Sequence, residues 1–316
     1  MGRFVLRRLG FLLLTLLLTS VIVFSITQFL PGDVARVLLP RDASEEAVEA
    51  KREELGMNRP AVVQYVSWVG RFARGDWGTS FAWGTPIRPR VMDALRNSLM
   101  LAAVALLFSV PLSIALGVWA GLSENRLADH TISLVSLSVV GLPEFVTGVI
   151  LIGLLAHSWK LLPATSSMEP GTGFAAAFPS LIMPALTATF VLLAYIVRLT
   201  RAEVVEQMSK AYVRTATLKG MPRAIVIVKH VLRNALLPTV TVIAISIGWL
   251  IGGIIVIENV FNYPGLGRLL ITAIDNQDFP LMQAITMVVV FGVVLSNLLA
   301  DLIYAALNPR IRYDKS

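Results

Sequence analysis

The sequence predicts an all-α membrane protein with six transmembrane helices. The first observation is composition: the chain of 316 residues is 56% hydrophobic and 15% charged, whereas soluble domains carry about 25% charged residues. The second is the length of the apolar runs, six of which reach the about 20 residues that cross a bilayer. The third is that basic residues cluster between these runs as the positive-inside rule describes. The bilayer is therefore the solvent that this composition requires.

The apolar segments set the order of the chain. Leu9–Leu30 is longer than the apolar core of a secretory signal and no A-x-A-like site follows it, so we favour an uncleaved anchor over a signal peptide. The chain divides into a first helix (1–30), an external loop (31–94), a transmembrane core (95–306) and a tail (307–316). The predicted spans are 9–30, 97–121, 131–157, 180–200, 236–257 and 282–306.

Loop charge predicts the orientation. Segment 201–235 carries seven basic residues, whereas 158–179 has Lys160 alone and 258–281 has Arg268 alone. Short basic loops stay in the cytoplasm, so we expect both termini and segment 201–235 on that side. The long 31–94 loop carries both signs of charge and is expected outside, because long loops cross regardless of charge.

The external loop is expected to contain two short helices. In 44–56, Ser44 suits an N-cap, acidic residues follow it, and Gly56 suits the end. In 60–78, Pro60 suits the start of a helix whose apolar face holds valines and aromatic residues. Aromatic residues at this density favour the membrane–water interface. Ordinary packing of a small external lobe is an equal and compatible alternative.

Composition excludes several classes of function. The chain has no cysteine, which excludes thiolate catalysis and cysteine-bound metal, and its three histidines show no metal-ligand spacing. It has no G-x-x-x-x-G-K-[ST] motif and no Gly-Lys pair, so we do not expect it to hydrolyse ATP itself. The sequence also lacks a G-x-S-x-G motif, which would have supported an intramembrane enzyme. Membrane topology explains the net charge of +7 better than nucleic-acid binding does.

One basic segment, YVRTATLKGMPRAIVIVKHVLRNALLP (212–238), interrupts the apolar chain. Helix formers occupy 202–219, and Gly220 can adopt the left-handed conformation that ends a helix. Pro222 then suits the first turn of a second helix over 222–235. The segment is therefore predicted to form two short helices with a sharp corner. Composition alone permits a cap on the bundle, a site for anionic lipid headgroups or a docking site for a cytosolic partner.

This segment resembles the cytoplasmic EAA loop of ATP-binding-cassette importer permeases. The closest similarity is to the first transmembrane subunit of the dipeptide/oligopeptide/nickel importer family. Gly220 keeps the glycine of the consensus, whereas His230 and Arg233 depart from it in the manner of the peptide-importer branch. Further motifs similar to that family occur in order along the chain. They are LPGD (30–33), GDWGTSF (75–81), ENVFNYPGLGRLL (258–270) and NLLADLIYAALNPRIRY (297–313).

The resemblance implies a type I importer permease fold, in a bacterial or archaeal plasma membrane. It also implies partners: a second homologous permease, two ATPases that hold ATP and Mg²⁺, an external solute-binding protein and membrane lipid, but no nucleic acid. The chain itself is expected to bind no cofactor. Peptides are the expected cargo. Nickel chelates, opines and oligosaccharides are alternatives, and a self-sufficient secondary transporter is a less favoured one. The residues assigned to ATPase coupling are Arg214, Thr215, Ala216, Gly220, Met221 and Arg223.

Two further groups of residues are candidate sites. Glu144 lies mid-span directly after Pro143, where a kink frees backbone groups, and ionisable residues at membrane depth are costly. Glu144 is either a pathway residue that meets a cationic group of the cargo or a structural carboxyl, protonated or bonded to a neighbouring helix. Asn97, near a helix end, is expected to bond a neighbouring helix. In the motif after span five, a gate or a loop-support role is open for Glu258, Pro264, Gly265 and Gly267.

Overall fold

The computed structural model describes residues 2–29, 36, 39–40, 43–54, 56–169 and 171–307. Within these ranges the regular structure is helical, and the strand-like pairing found there is a single bridge between Thr79 and Pro86. The LPGD motif and the basic residues of the tail lie outside the described residues. The prediction of an all-α chain is confirmed.

The helices follow one another in an order close to the predicted one. Two π-helical stretches, Ile152–Ser158 and Val226–Leu232, each directly follow a short α-helix. The α-helices are α1 (Gly2–Phe29), α2 (Glu45–Glu54), α3 (Ala61–Ala73), α4 (Ile87–Leu122), α5 (Leu127–Val140), α6 (Glu144–Leu151), α7 (Phe174–Met208), α8 (Ala211–Leu218), α9 (Arg223–Ile225), α10 (Arg233–Gly253), α11 (Ile255–Val260), α12 (Leu266–Asp275) and α13 (Phe279–Leu307).

Five helical segments of the described chain are long and apolar enough to cross a membrane, and a bent pair brings the number to six. The apolar windows of the first and last segments are only 11% and 17% buried, which leaves most of their surface for lipid or a partner subunit. The number of spans therefore agrees with the prediction. The five segments are Val5–Thr27, Ile87–Leu122, Phe174–Met208, Arg223–Gly253 and Phe279–Ile303.

The third predicted span, 131–157, is not one helix. It divides into α5 and the helix that starts at Glu144, and the two parts are bent by 100°. The break falls at Gly141, Leu142 and Pro143. Proline has no N–H to continue a helix, and it pushes the residue before it out of the helical region. The prediction of a continuous span is wrong here, although the kink lies at the expected proline.

The described chain forms two compact units. The first comprises Asn97–Pro264 and the chain from Gly292 onward, and the second comprises Gly2–Arg96 and Gly265–Phe291. The division of the chain at 30, 94 and 306 stays a prediction. The core of the first unit is formed by fully buried side chains of α4, α7, α10 and α11. Its largest members include Leu101, Leu181, Met183, Ile196, Leu250 and Ile257.

Helices α4 and α7 approach each other closely at two glycines of α4. A Cβ atom added at Gly117 would lie 2.6 Å from Thr200 Cβ and 2.9 Å from the Val197 carbonyl oxygen, and one at Gly121 would lie 2.7 Å from Val204 Cβ. Contacts this short are not tolerated by real side chains, so glycine is required at both positions. Because the two glycines are four residues apart, they share one face of α4.

Aromatic side chains join α1 to α3 in the second unit. The ring of Phe24 lies 5.5 Å from Tyr65 and 5.9 Å from Trp68. Trp68 in turn lies 6.0 Å from Phe72, which stacks on Trp77 at 5.0 Å. The predicted amphipathic helix is therefore present as α3, and its aromatic face packs on the first span.

A buried carboxylate joins two distant segments of the second unit. Asp278 is fully buried and accepts a hydrogen bond from the Ser80 hydroxyl. It also accepts the N–H groups of Ala82 and Leu281, both at 3.3 Å. Leu281 is the third residue of α13, so Asp278 caps that helix as well. The sequence analysis did not single out this residue, although an Asp before an apolar run is a helix-start signal.

Candidate functional site

The basic segment 201–235 folds as a helical corner between spans four and five. Helix α7 continues through the start of the segment to Met208, and α8 begins after a break at Ser209 and Lys210. The prediction of one helix over 202–219 is wrong at this break. The Ser209 hydroxyl donates to the Glu206 carbonyl at 2.7 Å, and serine side chains of this kind compete with helical backbone bonds. Lys210 then has extended backbone (φ −69°, ψ 147°).

Gly220 turns the chain at the corner. Its φ is +75°, a region that residues with a Cβ avoid. The Met221 N–H donates to the Ala216 carbonyl at 3.3 Å, and the Gly220 N–H donates to the Thr217 carbonyl at 3.0 Å. This pair of bonds is the Schellman ending of a helix. Pro222 then precedes α9, so both predicted corner residues lie where the sequence placed them.

The second helix of the corner is longer than predicted. It was expected to end near residue 235, but α9 continues through the π-helical stretch into α10, which ends at Gly253. Pro238 lies inside α10 without ending it. Proline is tolerated in membrane helices where neighbouring groups satisfy the freed carbonyl. The corner is therefore continuous with span five.

The inner face of α8 packs into a small hydrophobic core. Val213 and Ala216 are buried there with Val226, Val231 and Ala235. Ala216 is only 6% exposed, so its small side chain lets α8 lie close to the helices of its own chain. Of the six predicted coupling residues, the structure thus buries Ala216 in this core and packs Met221 against it.

The outer face of the corner is basic and apolar. Leu218 is 80% exposed, and Ile225 and Val228 are also exposed, at 46% and 66%. Large apolar side chains grouped on a surface mark contact sites. The sequence analysis did not single out Leu218. The signal that could have found it is its position, because Leu218 lies off the helix face that Val213 and Ala216 share. Other exposed residues here are Arg214, Thr215, Lys219, Gly220 and Arg223, while Met221 is half-buried.

A polar network holds α8 against the turns beside it. The Tyr212 hydroxyl donates to Gln207 Oε1 at 2.7 Å. Asn234 Nδ2 donates to that hydroxyl at 3.3 Å and to the His230 carbonyl at 3.0 Å. These bonds connect α8 to the end of α7 and to the start of α10, so they fix the orientation of α8 relative to both helices.

An ion pair lies at the base of the corner. The guanidinium nitrogens Nε and Nη2 of Arg201 both donate to the carboxylate of Asp129, which is 1% exposed. Asp129 also accepts the Asn125 N–H at 3.0 Å and the Ser133 hydroxyl at 3.3 Å. Bidentate Arg–carboxylate pairs are among the strongest and most specific polar contacts. This pair, which the sequence did not predict, ties the start of α5 to α7 just before the corner.

The motif after span five is built into the protein. Glu258 is 1% exposed and accepts the Ser98 hydroxyl at 2.6 Å. The buried Tyr263 hydroxyl donates to the Asn97 carbonyl at 2.6 Å, and Asn97 Nδ2 donates to the Pro264 carbonyl at 2.9 Å. Burial raises the pKa of Tyr263, so this donor stays protonated. These contacts favour loop support for Glu258 and Pro264, and Asn97 bonds a loop rather than a helix.

The two glycines of that motif begin the next helix. Gly265 is extended (φ −100°, ψ −176°) and directly precedes α12. Gly267 is buried in the first turn of α12, next to the buried Leu266. Their conformations are open to other residues, and a gate function for them stays a prediction.

Glu144 stands at the start of α6, directly after the 100° bend. Its side chain is half-buried, and no hydrogen bond or ion pair to it is found in the part of the chain that the structure describes. A Cβ atom added at Gly148 would lie 3.1 Å from the Phe261 ring and 3.2 Å from Val260 Cγ1, so α6 is packed closely one turn after Glu144, on the side of the helix that the two residues share. Among the described residues, Glu144 is a carboxyl without a bonded neighbour.

Comparison with known proteins identifies the family. The binding-protein-dependent transport system inner membrane component family matches residues 113–313, and the N-terminal region of such membrane components matches residues 1–102. A probable peptide ABC transporter permease protein, y4tP, of Sinorhizobium fredii is 36% identical over 313 residues, which cover 99% of this chain and 100% of the relative. The glutathione transport system permease protein GsiC is 34% identical with the same coverage, in both Escherichia coli and Salmonella typhi.

These matches confirm the family resemblance stated from the sequence and decide against a secondary transporter and an intramembrane enzyme. The protein is a multi-pass inner-membrane transporter subunit that works with other subunits of an ABC transporter. The chain therefore belongs to the family of inner membrane components of binding-protein-dependent transport systems, as a permease subunit of an ABC importer.

Proposed function

We propose that this chain forms the transport pathway with a second homologous permease, and that segment 201–235 docks one of two partner ATPases. The observation that carries the docking proposal is the two-sided character of α8. Its inner face is buried in the core of the corner, whereas Leu218 on the outer face is 80% exposed. A short helix with one face fixed and an apolar residue on the other suits insertion into a groove of a partner.

Each candidate coupling residue has a role in this proposal. Gly220 makes the corner, Met221 closes it through its bond to the α8 carbonyl, and Ala216 packs α8 onto its own chain. Exposed Arg214 and Arg223 provide charged contacts at the rim of the ATPase groove, and Thr215 lies exposed beside them. Rim charges set the rate and orientation of docking more than its affinity.

Docking implies an orientation. ATPases that use cytosolic ATP and Mg²⁺ meet the permease from the cytoplasm, so segment 201–235 and both termini face that side. The loop charges support this orientation. ATP and Mg²⁺ belong to the ATPases and the chain binds no cofactor. The sequence observation that supports this is the lack of a phosphate-binding G-x-x-x-x-G-K-[ST] motif.

The proposed cargo is a di- or oligopeptide that an external solute-binding protein delivers. Relatives named as a peptide permease and a glutathione permease support this class of cargo, since glutathione is itself a modified tripeptide. Nickel chelates, opines and oligosaccharides are the alternatives. Within the pathway, Glu144 at the bend after Pro143 is the carboxylate that meets a cationic group of the cargo.

Replacing Leu218 with Glu is expected to release the ATPases from the complex. The side chain lies outside the core, so the corner still folds, but a carboxylate would have to enter an apolar groove. The complex is purified from its native membrane in mild detergent, and subunit ratios are measured by mass. Wild type is expected to retain two ATPases and a second permease, whereas the variant keeps the permease and loses at least about tenfold in ATPase affinity.

Leu161→Glu is the matched control, because Leu161 is 68% exposed in the loop between spans three and four. It is expected to retain the ATPases. Ala216→Glu is unsuitable, since a charge at this buried position would disrupt the corner itself. Docking at this corner is refuted if Leu218→Glu retains as much ATPase as the control, or if the wild-type chain purifies without ATPases.

Replacing Glu144 with Gln is expected to reduce the uptake of cationic peptides about tenfold or more, the worth of a hydrogen bond to a charged group. Neutral and anionic peptides of the same length should be transported nearly as before. The measurement is uptake by the reconstituted complex over a series of peptides that differ in net charge. Glu169→Gln, in the loop outside the spans, is the control. An equal loss for all peptides, or none, contradicts charge recognition.

A further inference from the structure

The second compact unit contains a cavity of about 450 Å³, lined by residues of that unit. Two arginines, Arg59 and Arg71, line it together with polar side chains such as Gln64 and Gln283. The remaining wall combines apolar and aromatic side chains with small polar ones such as Thr27, Ser67 and Thr79. Its main aromatic members are Phe24, Trp68, Trp77, Phe81 and Phe279. A cavity of this size with both apolar and polar groups is suited to a small amphipathic ligand.

The polar part of the cavity is positively charged. Neither Arg59 nor Arg71 has an acidic partner among the described residues. One carboxylate, Asp76, lies in the lining, and its Oδ1 already accepts the Gly78 N–H at 3.0 Å. The Gln64 amide donates to the carbonyls of Met57 and Arg59. The lining therefore carries one excess positive charge and two guanidinium groups available to an anion.

The cavity lies where two membrane spans end. Phe24 belongs to the last turn of the apolar span Val5–Thr27, and Phe279 is the first residue of the span Phe279–Ile303. The depth of this cavity is therefore that of lipid headgroups. Tryptophan and arginine are the side chains that membrane proteins place at this depth.

Helix α3 beside the cavity exposes an apolar stripe. Val62 is 72% exposed and Val66 is 62% exposed, and residues four apart share one side of a helix. The aromatic face of the same helix is packed on α1. A helix fixed on one face and apolar on its free face is suited to lie in the plane of the interface. Acyl chains are therefore the medium that covers the valines next to the cavity.

We propose that this cavity binds an anionic phospholipid, with its phosphate between Arg59 and Arg71 and its acyl chains along the valines of α3. Guanidinium groups recognise phosphate oxygens through paired hydrogen bonds, and the aromatic wall accommodates the glycerol region. A peptide carboxylate is the other anion that two arginines would accept. A peptide also brings an ammonium group, for which Asp76 is the one acidic side chain of the lining, so peptide binding is the alternative outcome of the test. The proposal does not depend on the cargo or on the orientation of the chain.

The test is lipid enrichment by the intact complex. The complex is reconstituted in nanodiscs of phosphatidylcholine and phosphatidylglycerol at 4:1, returned to mild detergent, and its retained lipid is quantified by mass spectrometry. Wild type is expected to retain phosphatidylglycerol above the 4:1 input. Each basic residue near an anionic headgroup is worth about fivefold in affinity. Arg59→Gln/Arg71→Gln should therefore weaken binding about thirtyfold and return the retained lipid to the input ratio.

Arg52→Gln/Arg74→Gln is the matched control, because it removes two arginines of the same lobe that do not line the cavity. It should keep the enrichment, and both double variants should unfold at the wild-type temperature. Enrichment absent from wild type, or lost equally in both variants, would overturn the proposal in favour of general charge attraction. A neutral dipeptide is also titrated into the delipidated complex. Saturable dipeptide binding that Arg59→Gln/Arg71→Gln abolishes, with lipid retention unchanged, would assign the cavity to peptide.

Discussion

Replacing Asp129 with Leu is expected to cost about 1–3 kcal/mol in the free energy of unfolding, because it leaves hydrogen-bonding groups at a buried position without their partner. Both carboxylate oxygens of Asp129 bond the Arg201 guanidinium, and the side chain is 1% exposed. Leucine fills the space but accepts no hydrogen bond. It therefore leaves Arg201 without its partner and the Asn125 N–H without its acceptor.

Two variants make this prediction specific. Asp129→Leu/Arg201→Met removes the whole pair and should regain most of the lost stability, because apolar replacements of buried pairs are often neutral. Arg198→Gln changes an exposed arginine one turn before Arg201 and should cost less than about 0.5 kcal/mol. The measurement is unfolding of the purified complex by titration with denaturing detergent. A loss for Asp129→Leu no larger than for Arg198→Gln would show that the pair does not stabilise the fold.

The same substitution is expected to reduce transport. The pair joins the start of α5 to α7, and α7 leads to the corner through Met208. Without the pair, the end of α7 is no longer fixed to the bent third span. Uptake by Asp129→Leu should therefore fall more than that of the double variant, when both are measured at a temperature at which both are folded.

Replacing Asp278 with Ala is expected to destabilise the second compact unit by about 2–6 kcal/mol. The Ser80 hydroxyl and the N–H groups of Ala82 and Leu281 lose their acceptor. The Ser80 hydroxyl and the Leu281 N–H are buried donors, and each costs about 1–3 kcal/mol when it is left unsatisfied; the bond to Leu281 is also the N-cap of α13. Hydrogen–deuterium exchange should show the loss as faster exchange at Ala82 and Leu281, with the corner unchanged.

Conservative and distant variants complete this test. Asp278→Asn keeps one acceptor oxygen and should lose only part of the protection. Asp275→Ala removes an exposed carboxylate three residues earlier and should leave exchange at both positions as in wild type. If the amides of Ala82 and Leu281 are equally protected from exchange in Asp278→Ala and Asp275→Ala, the Asp278 carboxylate does not hold the two segments together.

The transmembrane spans could be predicted from the sequence because each apolar segment is solvated by the membrane independently of the other segments. A kink at Pro143 was predicted, but the division of the third span by a bend of 100° could not be, since Gly141, Leu142 and Pro143 are as compatible with lipid as their neighbours. Hydropathy measures apolarity over a window, whereas the bend depends on one proline and on what packs against α6. One group that packs against α6 is Phe261, which lies close to Gly148 although the two residues are far apart in the chain.

The candidate site also combines features that the local sequence predicts with features that depend on tertiary packing. Gly220 and Pro222 were predicted correctly because a helix end and a helix start are encoded by local chemistry. The burial of Ala216 and the exposure of Leu218 depend instead on which face of α8 meets the core of the corner, and that core includes Val118 from α4. The two most consequential carboxylates, Asp129 and Asp278, bond partners 72 and 198 residues away. No local pattern encodes such pairs.

The close approach of α4 and α7 has a mechanical consequence. At Gly117 and Gly121 the two helices touch without an intervening layer of flexible side chains, and packed interiors of this kind are nearly incompressible. A displacement of α7 near Thr200 and Val204 is therefore expected to carry the facing part of α4 with it. Bending within the first unit is then expected at the break Gly141–Pro143, where the helical backbone is already interrupted.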